Sequence, residues 1–209
     1  MIKHHNQKNA LTGLLLASML WTLSGCVTPT GNDGMLSSSG HVIERSKPEA
    51  PSWTAFGAGQ MHETDTILSY VELGTRLRDL PLGLKTTQLG AIDASRNALA
   101  AVVREKLGDD RDRLSSADHA EFERHVVAAS ADFHGRHAKV SDIYFEKLAA
   151  DDGDIPEYFN AFVLVTMPRD KLSDLFEGLG RRLSGSQESS LRQLGQSLLS
   201  RAKAGGLSH

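Results

Sequence analysis

Hydrophobic spacing changes along the chain, and each change marks an element. Ala10 to Leu23 is an unbroken apolar-to-neutral run. It is shorter than the roughly 20 residues that a membrane-spanning helix needs. It follows a segment holding Lys3 and Lys8 and no acid, which is the layout of an export signal. Residues 27–50 have no period: Thr28-Pro29-Thr30-Gly31-Asn32-Asp33-Gly34 and Ser37-Ser38-Ser39-Gly40 lead into a charged stretch ending at Pro48. Such composition buries too little apolar surface to offset the cost of ordering. It predicts a tether with a reach of about 80 Å fully extended and about 27 Å as a coil.

The folded part is expected to start at Pro51-Ser52-Trp53, with a short opening strand from Trp53 to Gly59 that ends in Gly57-Ala58-Gly59. Residues 62–83 give mixed signals: Ile67, Tyr70, Val71 and Gly74 suggest a helical face, while Pro81 and Gly83 break it. From Thr87 to Leu107 the helical period is strong. Leu89, Ile92, Leu99, Val102 and Val103 recur at spacings of three and four around Arg96, and five alanines raise helix propensity. Gly108-Asp109-Asp110 is the expected stop. A second helix should open after Ser115-Ser116-Ala117-Asp118 and run to about Ala131, with Phe122, Val126 and Ala129 on one face.

Beyond it the period shortens to that of strands. Ala138 to Leu148 alternates Ile143 and Phe145 against Val140 and Tyr144. Tyr158 to Met167 is apolar on both faces, as a covered central strand would be. The turn-forming Ala150-Asp151-Asp152-Gly153-Asp154-Ile155-Pro156 between them makes a hairpin the economical reading. Pro168 should start a helix that buries Leu172, Leu175, Phe176, Leu179 and Leu183, and Gly185 should end it. Ser186 can cap a last helix with Leu191, Leu194 and Leu198 inward. The predicted class is therefore α+β: a small antiparallel sheet, opening strand plus hairpin, covered by helices. The boundaries read as residues 1–25 signal, 26–50 lipidated cysteine and tether, 51–183 globular domain, and 184–209 C-terminal helix and tail.

Charge narrows the partners. The 209 residues carry a formal charge of −3, and losing Lys3 and Lys8 with the signal takes the remainder to −5. A nucleic-acid binder needs a basic stripe to displace counterions from phosphates, and none is visible, so no nucleic-acid partner is expected.

The apolar run ends in Leu23-Ser24-Gly25-Cys26, which resembles the lipobox of bacterial lipoproteins: small residues admit the backbone to a peptidase, and the thiol accepts diacylglycerol. Cys26 is the only cysteine in the chain and stands where lipidation requires it. It is the expected lipidation site, anchoring the chain to a membrane through acyl chains such as palmitate. Val27 follows it, where an Asp would favour retention in the inner membrane, so the resemblance implies the outer membrane, on its periplasmic face. With its one thiol acylated, the chain has no disulfide or cysteine ligand left to staple the fold.

These pieces occur in a familiar order: the Cys26 lipobox, the tether, Pro51-Ser52-Trp53, Gly57 and Gly59, an Ala/Arg-rich helix around Ala91-Ile92-Asp93-Ala94-Ser95-Arg96, and a hairpin formed by Val140–Phe145 and Tyr158–Val165. Together they resemble the family of small outer-membrane lipoproteins that includes an antigenic twenty-kilodalton member and a flagellar outer-membrane member. The resemblance covers about residues 51–170; residues 62–83 and the C-terminal helix depart from it. It implies a non-enzymatic envelope component, with a protein partner in a flagellar or other surface assembly, and it brings no catalytic residue.

Candidate chemistry is sparse. His119, His125, His134 and His137 fall close together in sequence, but their spacing does not put three imidazoles on one helical face, as a tetrahedral zinc site needs. Solvated surface histidines are the expectation. Asp151-Asp152-Gly153-Asp154 lacks the sixth-position glycine and twelfth-position glutamate of an EF-hand and reads as a turn. Gly57-Ala58-Gly59 lacks the third glycine of a dinucleotide loop. No nucleophile elbow is present. Arg96 reads as a side chain snorkelling at the core edge. No metal, cofactor or catalytic residue is therefore expected. The leading expectation is a lipid-anchored interaction module that touches its partner through the sheet edge and the C-terminal helix. The alternative is a periplasmic ligand-binding or cell-wall-modifying domain on the same anchor.

Overall fold

A computed structural model describes residues 40–150 and 156–204. They form an α+β fold with a five-stranded antiparallel sheet and helices packed mainly on one of its faces. In chain order the elements are β1 (Gly40–Arg45), a 3-10 turn (Ser52–Phe56), β2 (Met61–Glu63), β3 (Ile67–Leu77), α1 (Leu80–Lys106), the single turn α2 (Gly108–Arg111) and α3 (Ser116–His137). β4 (Lys139–Ala150), β5 (Glu157–Pro168), α4 (Leu172–Ser184) and α5 (Ser189–Lys203) follow, with a 3-10 turn at Arg169–Lys171. The strand order is β1-β4-β5-β3-β2.

The hairpin lies where its alternation placed it. β4 and β5 pair antiparallel with Tyr144 opposite Phe162 and Leu148 opposite Tyr158. β5 is the central strand and is covered on both faces. Val163 and Val165 pack with Tyr70 and Ala91 on the helical side, and Phe162 and Leu164 pack with Trp53, Val71 and Tyr144 on the other. The main core lies between the helices and the far end of the sheet, where Leu99, Val103, Phe122, Phe133, Met167, Leu172, Phe176 and Leu198 meet.

Four sequence expectations are corrected. The opening strand from Trp53 to Gly59 is instead the 3-10 turn Ser52–Phe56. Thr54 donates to the Pro51 carbonyl from both its amide (3.0 Å) and its hydroxyl (2.8 Å), which curls the chain. Gly57 and Gly59 then take φ of 81° and 84°, the left-handed side that reverses its direction. Residues 62–83 are mostly sheet: Leu68 pairs with Met167 and Val71 with Leu164, and burial on both faces of β3 erased the alternation that would have marked it. Gly40–Arg45, expected as tether, pairs with β4 as an edge strand, Gly40 opposite Ala150 and Arg45 opposite Glu146. Finally, Pro81 begins a helix where a break was expected. It lies in the first turn of α1, where its missing N–H costs nothing, and the Asp79 carboxylate caps that turn by accepting from the Leu82 amide at 2.8 Å.

Smaller differences have local causes. α3 opens within the Ser115–Asp118 segment, at Ser116, capped by Ser115 with Oγ accepting from the Asp118 amide, but it runs on to His137. Ser186 is not the cap of α5. Its hydroxyl donates to Glu121 Oε1 at 2.6 Å and accepts from the Glu188 amide, tying the α4–α5 link to α3. α5 does bury Leu191, Leu194 and Leu198. It crosses α4 where Gly180 and Gly195 bring the two backbones into contact.

Candidate functional site

Cys26, the predicted lipidation site, and Asp151–Asp154 lie outside the described residues. No described helix is long and apolar enough to cross a membrane.

The histidines face four different partners. His119 Nε2 lies 2.8 Å from the Arg111 carbonyl, and His125 Nε2 lies 3.4 Å from Glu121 Oε1. The His137 ring stacks at 4.6 Å on Phe133. His134 Nε2 lies 2.8 Å from Ser95 Oγ. Among the described residues no three His, Cys, Asp or Glu side chains converge as metal ligands. His134 departs from the expected solvated histidine: it is buried between α1 and α3, and Ser95 is fully buried.

A paired serine and histidine invite a nucleophile reading, and the geometry argues against it. Ser95 Oγ also lies 3.1 Å from the Ile92 carbonyl. A hydroxyl has one proton; donated to Ile92, it leaves Oγ to accept from Nε2–H, the opposite of what a general base needs. With Ser95 at zero exposure, no substrate reaches it. Burial pushes the His134 imidazole below its ordinary pKa, the Arg96 charge adds to the shift, and Asp93 opposes it. The pair is a neutral hydrogen bond that joins two helices.

Arg96 was expected at the edge of the core. It is half-buried on α1, bonded to Asp93 Oδ1 at 2.9 Å and within electrostatic reach of the buried His134. The buried face of α1 is Gly83, Thr87, Ala91, Ser95, Leu99 and Val103, a row of mostly small residues that lets the helix sit close to the sheet. Leu82, Leu89 and Ile92 are consequently turned outward, 64%, 58% and 40% exposed.

Across the sheet, Asp142 is the hub of a polar clamp. It accepts from Lys47 Nζ at 2.5 Å, from Trp53 Nε1 at 2.9 Å and from its neighbour Ile143 N at 2.8 Å. The Lys47 hydrogen bond leads the causes that hold the Asp142 carboxyl below the usual carboxylate range. Burial opposes it, and the bonds from Trp53 and Ile143 reinforce it. The clamp fixes the chain that leaves β1 against β4. No sequence spacing pairs Lys47 and Trp53 with Asp142, so sequence reasoning missed it.

Among the described residues, two open concavities stand out. One, of 560 Å³, follows Val42 to Pro48 along the outer side of β1. The other, of 480 Å³, lies between α3 and α4 and is lined by Asp132, Arg136, Asp174, Gly178 and Arg182, where Arg182 pairs with Asp132. Neither concavity presents an unpaired nucleophile. The register of β1 slips between Val42 and Glu44, a bulge that leaves Ile43 45% exposed on the sheet edge. The described surface also presents an edge strand with a projecting isoleucine and a helix with an apolar back. Comparison with protein-family models, with curated proteins and with solved structures finds no match to this chain.

Proposed function

We propose that this chain is a non-enzymatic lipoprotein of the outer membrane, acylated at Cys26, whose folded part is an interaction module for another envelope protein. The observation that carries the reading is Leu23-Ser24-Gly25-Cys26 closing an apolar run, with the chain's one cysteine at the acceptor position. The β1 edge supports the contact role. Its outer backbone groups are unpaired with any described strand, and such an edge accepts a partner's strand or side chains. A flagellar or other surface assembly is the partner class that the family resemblance suggests. A wall-modifying domain built on the Ser95–His134 pair would need that serine within reach of substrate, and it is buried.

The test is to feed cells an alkyne-bearing palmitate and follow the chain through membrane fractionation, crosslinking the outer-membrane fraction in parallel. Label on the wild type, its loss in Cys26→Ser, and a crosslinked protein that disappears with it are the expected results. Equal labelling of both forms refutes the lipidation, and an acylated protein without any crosslinked neighbour refutes the interaction module.

A further inference from the structure

We infer that the back of α1 is a membrane-docking face, and that Leu82, Leu89 and Ile92 rest on the lipid surface to which the chain is anchored. The inference rests on the proposed acylation of Cys26 and adds the orientation of the folded part to it.

The first argument is the helix itself. Positions 82, 89 and 92 follow the spacing of one helical stripe, and all three side chains are exposed on an element whose opposite side is already buried against the sheet. The stripe extends along about 15 Å of helix, ten residues at 1.5 Å each. Arg78 and Lys85 are exposed beside it; of the nearby carboxylates, Asp79 caps the helix, Asp93 pairs with Arg96 and Glu72 accepts from the Tyr70 hydroxyl. An apolar stripe bordered by basic side chains is the pattern of helices that lie in a membrane interface, and anionic headgroups attract such cations.

The second argument is the length of the leash and where it ends. Because Gly40 already belongs to the sheet, only fourteen residue steps separate it from Cys26. That is at most about 50 Å fully extended and roughly 20 Å as a coil, well under the reach expected when the tether ran to residue 50. Gly40 is opposite Ala150, Ala149 is opposite Glu157, and Leu77 is opposite Phe159. The leash therefore joins the sheet at the end where β3 finishes and α1 begins. Side chains make the same link: a Cβ on Gly40 would sit 2.9 Å from the Tyr158 hydroxyl, and the Arg76 guanidinium lies 5.8 Å from the Tyr158 ring. A short leash at this end keeps the first half of α1, the half that carries the stripe, nearest the bilayer. A second copy of the chain would also cover an apolar stripe, but only the lipid surface is brought to this end by the chain's own attachment.

The test uses the acylated full-length protein in vesicles of zwitterionic and anionic phospholipid. With Cys26 consumed by lipid, Leu89→Cys offers a single thiol for an environment-sensitive fluorophore, and Gln187→Cys, exposed on the α4–α5 link, is the comparison site. The mass of the N-terminal peptide reads the anchor independently. The proposal expects a blue-shifted emission at position 89, quenched by spin-labelled acyl chains, with neither effect at 187. It further expects the quenching to weaken with salt and in the Arg78→Glu/Lys85→Glu variant. An acylated protein whose position-89 probe stays in water overturns the docking face. A probe that is shielded yet unquenched by lipid, in a crosslinkable dimer, assigns the stripe to self-association and overturns it equally. A non-acylated N-terminus overturns the anchor, and the leash argument with it.

Discussion

Gly195→Ala should force apart two helices that now touch backbone to backbone. A Cβ there would lie 2.5 Å from the Ser184 amide nitrogen, 2.7 Å from the Gly180 carbonyl oxygen and 2.7 Å from Ser184 Oγ. Two of those three atoms are main chain and cannot rotate aside, so α4 and α5 must separate and loosen the leucines between them. Overpacking of this kind costs about 1–3 kcal/mol, and backbone obstacles put it at the upper end. Alanine returns about 1 kcal/mol through helix propensity, leaving a net loss of roughly 1–2 kcal/mol. Gly178 supplies the control on the partner helix α4, because a Cβ there meets nothing within 4 Å. Gly178→Ala keeps only the propensity gain, about 0.5–1 kcal/mol. At roughly 2–4 °C per kcal/mol for a chain of this size, Gly195→Ala should melt lower by roughly 2–8 °C and Gly178→Ala higher by roughly 1–4 °C. Thermal and urea unfolding followed by circular dichroism measures both. A Gly195→Ala protein as stable as the wild type, or two variants shifted in the same direction, would refute the close-crossing argument.

Two further predictions concern the polar links. His134 is held neutral by burial, with its folded pKa below the ordinary value near 6.5. The stability it contributes is complete above pH 6.5 and is lost as pH falls through the lower folded value, because the unfolded chain binds the proton first. Urea midpoints taken between pH 7.5 and 5 should fall for the wild type and flatten in His134→Gln; equal slopes would show that the imidazole is not the group responsible. Asp142→Ala removes the acceptor shared by Lys47 and Trp53 and should cost about 1–2 kcal/mol, with a red shift of Trp53 emission as the 3-10 turn loosens. Unchanged emission would mean that packing alone holds the indole.

The hairpin and the helices after Ser115 were legible because their period is clean and their apolar residues are large: Phe122, Tyr144, Phe162 and Leu179 point where their spacing says. α1 was legible as a helix and misread as a surface. Leu89 and Ile92 outrank Ala91 and Ser95 on any hydrophobicity scale, yet close packing on a sheet selects the small residues and leaves the large ones outside. β1 was hidden for a related reason: an edge strand half in water needs little apolar content, and Gly40-His41-Val42-Ile43-Glu44-Arg45 reads as tether. The Ser95–His134 and Lys47–Asp142 links join positions dozens of residues apart, and no local pattern reports such pairs. Cys26 is the reverse case: its proposed acylation rests on four neighbouring letters and on no distant partner.

β1 also decides how the folded part responds to tension. Load arriving from the residues before Gly40 pulls that strand lengthwise out of the end of the sheet. The β1–β4 hydrogen bonds from Gly40 to Arg45, the Ser46 amide bonded to the Phe145 carbonyl and the Lys47–Asp142 ion pair then resist together as a shear clasp instead of opening one at a time like a zipper. A domain held this way yields to a steady pull late and all at once, at a force set by its unfolding rate more than by its equilibrium stability.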